Sequence, residues 1–195
     1  LRIDPNVARS TVALLRDLYA DTRLWRGSLI VSWFWLVGAV VLALLPVLVR
    51  ESLNGSETVV TLLLAIFSVG IAIGSALASW LASGRIVLLP TPVGALLMGA
   101  FGLDLAWTVA HLGPVSGDPS DAWDFLTTGT GLRVTLDLFG LAVAGGLYIV
   151  PSFAAVQAWT DKDKRARVIG AVNVLTAAFM VTGALGLAAL QGAGW

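Results

Sequence analysis

Asp104, Arg133 and Asp137 each stand in or at the edge of a long apolar stretch, and a charge in hydrocarbon is costly enough to count as a candidate for function. Rising about 1.5 Å per residue along a helix puts all three at similar depth, in the outer third of a bilayer. Arg133 and Asp137 are four apart, so they share a helical face and can pair. Two carboxylates and a guanidinium at one level suit a zwitterionic headgroup, the carboxylates meeting an ammonium and Arg133 a phosphate. The plainer alternative is a structural ion pair, or Asp104 and Arg133 reaching for the interface.

Other polar and aromatic residues extend this candidate site. Asn173 lies one turn inside the last apolar run and can bond across helices or meet substrate. Trp33, Phe34 and Trp35 cluster near the inner interface, where such rings anchor; Trp33 and Trp35 can alternatively line an acyl-chain path. Gln157 and His111 fall at the ends of their runs, His111 being an interfacial or proton-relay candidate.

Soluble-enzyme chemistry is not legible. No Gly-x-Ser-x-Gly, phosphate-cradling Gly-rich loop or His-Glu-x-x-His occurs, so no catalytic residues and no cofactor are expected. His111 is the one histidine and there is no cysteine, which excludes a histidine-built metal cluster, thiolate metal sites and disulfides. Zero net charge gives no field to recruit nucleic acid. Asn54-Gly-Ser56 fits the glycosylation pattern, a three-residue match of low specificity.

The elements that carry these residues follow from composition. Hydrophobic residues make up 57% of the 195 and charged residues 12%, with a mean hydropathy of +0.88. That is too little charge to surround a soluble core. Gly27–Val49, Thr58–Gly84, Leu138–Thr160 and Val168–Trp195 carry no charge, and Val93–Leu112 carries Asp104 alone. Each is about the 20 residues or more that cross a bilayer as a helix, and only helices satisfy their own backbone at that length in lipid. The expected fold is all-α, a polytopic membrane helix bundle with spans at about 27–49, 58–84, 90–112, 132–159 and 168–190. Residues 1–26 form a linker segment and 27–195 the membrane domain. The chain begins at Leu1 and ends at Trp195 after an apolar run, and both ends read as cuts in a longer protein.

Loop charge sets the orientation. Arg9, Arg16, Arg23 and Arg26 precede the first span, and Asp161–Arg167 holds four basic residues. Asp118, Asp121 and Asp124 lie between the third and fourth spans. Basic loops stay in the cytoplasm, so Asp161–Arg167 is expected inside and Ser116–Asp124 outside. Asn6–Leu24 interleaves Val7, Leu14, Leu15, Leu18 and Leu24 with Arg9, Arg16, Asp17 and Arg23, an amphipathic helix for the membrane surface, a bridge to an upstream domain, or a solvated linker helix. Small residues at four-residue steps, Gly70, Gly74, Ala78 and Ala82, mark a face for close helix contact. Gly140, Ala144, Gly145 and Gly146 in the fourth span, and Gly170, Ala177, Ala184 and Ala188 in the fifth, read the same way. Pro151 is expected to kink or loosen the fourth span.

Three segments carry a family likeness. Ser32–Gly38 (Ser-Trp-Phe-Trp-Leu-Val-Gly), Val60–Ser75 and Arg165–Val181 resemble the second half of the lysophospholipid transporters of the major facilitator superfamily. The resemblance runs from about Leu24 to about Leu190. It implies that the spans are helices seven to eleven of twelve, in the C-terminal half of a major facilitator fold whose N-terminal six-helix half lies upstream. The superfamily's loop signature is present in part: Leu77 and Ala78 match, Ser79 and Trp80 stand where Asp and Arg would be, and Gly84-Arg85 is displaced, which weakens the case for a gating ion pair in this loop. The implied activity is movement of lysophospholipid across a bacterial inner membrane for re-acylation, by alternating access. The partners are then the lipid and the membrane, and fusion to acyltransferase domains occurs in the family. A drug or metabolite exporter of the same superfamily, or a membrane anchor for a fused acyltransferase, are the alternatives.

Overall fold

In a computed structural model, residues 7–113 and 117–193 are described; Ser116, expected in an external loop, lies outside them. Five helices are long and apolar enough to cross a bilayer, and no strand occurs among the described residues. The chain is an all-α, multi-pass membrane protein. In order, α1 spans Val7–Ala20, α2 Thr22–Val47, α3 Glu57–Ala82, α4 Pro90–Ala110, α5 Ala122–Thr127, α6 Gly129–Ala158 and α7 Arg165–Gly192. A π-helical turn, Leu48–Ser52, prolongs α2, and a 3₁₀ turn, Lys162–Lys164, precedes α7. These long helices fall within a few residues of the spans expected from apolar length.

The amphipathic segment forms two helices, not one. Asp21 interrupts it: its Oδ1 accepts the N–H groups of Arg23 (2.9 Å) and Leu24 (3.2 Å), capping α2 in the manner that favours Asp at helix starts. The first membrane helix therefore begins at Thr22, upstream of Gly27.

The chain divides into two compact units, residues 1–40 with 152–195, and residues 41–151. In the first unit, α1 packs on α7, burying Leu18 and pairing Arg167 Nη2 with Asp17 Oδ2 at 2.9 Å. Gly27 gives α2 its close approach to Val156 and Trp159. Ser32 Oγ and Thr176 Oγ1 share a hydrogen bond at 3.2 Å, a polar contact between α2 and α7 of the kind that joins helices in lipid.

In the second unit, α6 contacts both α3 and α4. Its core includes Leu45, Val59, Leu63, Phe67, Phe125, Val134 and Leu138. Gly70, Gly74 and Ala78 are buried, as the four-residue stripe requires. A Cβ on Gly146 would come within 2.5 Å of Ser75 N and 2.7 Å of Ile71 O, and one on Gly94 within 2.7 Å of Ala144 O. Backbone rests on backbone at both crossings. The α7 stripe behaves differently: Gly170 has nothing within 4 Å of a would-be Cβ, and Ala177, Ala184 and Ala188 are exposed.

Backbone hydrogen bonds tie two loops of this unit together. Ser56 N–H donates to Ser120 O and Ser120 N–H to Asn54 O, both at 2.9 Å. The Asn54 amide donates to the Gly117 and Asp118 carbonyls at 3.2 and 3.1 Å. The α2–α3 and α4–α6 connections thus share one end of the unit, as an alternating topology demands.

Candidate functional site

Asp104 lies six residues before the end of α4, about 9 Å in, and Arg133 four residues after the start of α6, about 6 Å in. These helix ends are joined through residues 111–128, so the two side chains meet at one depth. Arg133 Nε donates to Asp104 Oδ2 at 3.0 Å and Nη2 to Oδ1 at 2.5 Å. This two-pronged geometry is the strongest form of an ion pair. The Arg133 and Asp104 side chains remain 50% and 42% exposed.

Sequence spacing offered Arg133 a partner one turn along its own helix. The structure gives it one on α4 instead. Asp137, one turn along α6 from Arg133, is only 5% exposed. Its Oδ2 has no hydrogen-bond partner, and neither do the buried hydroxyls of Thr108 and Thr135. Unsatisfied polar atoms in a low-dielectric interior are costly, and these three lie within four residues of the exposed ion pair along α4 and α6. Thr108 follows Asp104 by four residues, a same-face signal that the sequence did contain. Thr135 carried no comparable signal.

Trp33, Trp35, Asn173 and Gln157 belong to the first unit. Trp33 and Trp35 are exposed on α2, while Phe34 between them is buried, the Phe34 ring meeting Trp35 edge-on at 5.6 Å. Asn173 is exposed on α7, and the contact between helices expected of it is made three residues later, by Thr176 to Ser32. Gln157 is half-buried near the end of α6. In the second unit, His111 stacks on Trp107 at 4.1 Å and its Nδ1 donates to Trp107 O at 2.8 Å, finishing α4. Among the described residues, no group of three His, Cys, Asp or Glu side chains could hold a metal ion. The Asn54 amide of the glycosylation pattern is the strut between the two loops described above.

The chain matches no family model, no curated protein and no solved structure. The fold and the site define a multi-pass α-helical membrane protein with a forked ion pair and a buried acid at one end of a helix crossing.

Proposed function

We propose that the chain is part of a carrier that moves lysophospholipid across a bacterial inner membrane for re-acylation, by alternating access. The observation that supports this reading is the Asp104–Arg133 pair with Asp137 beside it. A forked guanidinium and two carboxylates at one depth can exchange their mutual contacts for those of a zwitterionic headgroup, phosphate on Arg133 and ammonium on the acids. The pair is exposed enough to be reached. The segments Ser32–Gly38, Val60–Ser75 and Arg165–Val181 supply the substrate class through their resemblance to lysophospholipid transporters. The four basic residues of Asp161–Arg167 support the orientation, with the pair toward the outer leaflet.

The test is translocation of a fluorescent lysophospholipid by full-length protein in vesicles. Arg133→Ala should abolish transport, and the double variant Asp104→Ala with Arg133→Ala should recover stability without recovering transport. A purely structural pair predicts the opposite: removing both partners leaves neither of the two unpaired, and transport returns with stability. Movement of cationic drugs in place of lysophospholipid would favour the exporter, and movement of neither would favour the anchor.

A further inference from the structure

A second polar site lies in the first unit, where α1 stops, α2 starts, α6 stops and α7 starts. A cleft of about 440 Å³ opens there, within the range of small-ligand pockets. Its position at the ends of membrane helices places it at the boundary between hydrocarbon and water. Leu14, Leu18, Leu24 and Trp159 give it an apolar floor.

The rim is charged and of mixed sign. Asp17, Asp21 and Asp161 share it with Lys164 and Arg167, three carboxylates and two cations. The pairs within it are exposed: Asp17 with Arg167 at 2.9 Å and Asp161 with Lys164 at 3.5 Å. Such pairs are weak and exchange partners readily. Asp21 is held by backbone N–H groups rather than by a cation, and both of those bonds fall on Oδ1.

We infer that this cleft binds the headgroup of a zwitterionic phospholipid bearing a primary amine, of the phosphatidylethanolamine kind, from the leaflet on the α1 side. Lys164 and Arg167 take the phosphate, and the three acids take the ammonium through N–H donors. The apolar floor accommodates the glycerol and first methylenes, which distinguishes a lipid from free phosphate. A glycerol headgroup brings no ammonium to the three acids, and a quaternary ammonium lacks the N–H donors. This inference stands whether or not the chain transports lipid, and it concerns residues distinct from Asp104, Arg133 and Asp137.

The experiment is native mass spectrometry of the full-length protein in detergent, offered equal amounts of palmitoyl-oleoyl phosphatidylethanolamine, phosphatidylcholine and phosphatidylglycerol. The ethanolamine lipid should be retained about tenfold over the other two, the ratio one charge-assisted contact provides. Lys164→Ala with Arg167→Ala should erase that preference. Ala20→Trp, at an exposed position on the cleft wall, should block binding with every rim charge in place, and it remains decisive if the double variant fails to fold. Arg133→Ala should leave the preference unchanged. Equal retention of the three lipids, or a preference that survives Ala20→Trp, overturns the inference. So does a preference lost in Arg133→Ala, which would assign the lipid to the other unit.

Discussion

Gly146→Ala is the most direct perturbation of the α3–α6 crossing. The added methyl would lie 2.5 Å from Ser75 N and 2.7 Å from Ile71 O, against the 3.4 Å or more of ordinary contact. Both neighbours are backbone, so no rotamer change relieves the clash and the helices must part by about 1 Å. A gap of that size forfeits a quarter to a half of the dispersion well for each atom pair across it. For a side chain's worth of contacts, roughly 40–60 pairs at about 0.1–0.2 kcal/mol, the loss brackets about 1–6 kcal/mol. Overpacked sites that can yield a little cost about 1–3 kcal/mol, and lipid supplies no hydrophobic drive to restore the contact. We expect about 2–3 kcal/mol. Gly99→Ala on α4 is the reference, because nothing lies within 4 Å of its Cβ position; there the same methyl should stabilise by about 0.5–1 kcal/mol. Unfolding of the full-length protein in mixed micelles by dodecyl sulfate, followed by circular dichroism, reads both. Gly74 faces the same crossing, so Gly74→Ala with Gly146→Ala should cost less than the two singles combined, the first having already parted the helices. Equal effects at Gly146 and Gly99 would refute the crossing as described.

Three further outcomes are expected. Cysteines replacing Asp118 and Lys162, both exposed, should label from opposite sides of the membrane in this cysteine-free background; labelling from one side would sink the five-span topology. Leu63→Ala should cost about 2–5 kcal/mol in the same micelle titration, since Leu63 is wholly buried, whereas exposed Leu96→Ala should barely register. Asp121 Oδ1 accepts the N–H groups of Trp123 and Asp124 at 2.8 and 2.9 Å, so Asp121→Ala should weaken α5 by about 0.5–2 kcal/mol. That change should speed hydrogen exchange at the Trp123 and Asp124 amides, and unchanged exchange would show that α5 is held by packing alone.

The long helices were legible because apolar length in lipid leaves one solution, and each span's ends lie near the first charges or turn residues. The α3 stripe was legible too, since Gly70, Gly74 and Ala78 repeat at the spacing of a helical face. The partner of Arg133 was not. Spacing rules see neighbours on one helix, and Asp104 lies 29 residues away, reached only once α4 and α6 pack. The same blindness hid the Ser32–Thr176 contact and the docking of α1 through Asp17 and Arg167. The α7 glycines and alanines show the converse: the pattern that packs α3 leaves much of α7 exposed, because small residues permit close approach without supplying a neighbour. The division into two units within α2 and α6 left no composition shift to read, since both helices stay apolar across the boundary.

The backbone ties between Asn54–Ser56 and Gly117–Ser120 act as a rigid linkage in the engineer's sense. Main-chain hydrogen bonds have little slack, so a pull on the α5 loop is delivered to the first turn of α3 and the last turn of α2 together. A molecule gripping exposed Trp123 would therefore hold a lever on the second unit, and an antibody fragment raised against that loop would brake any movement of α3.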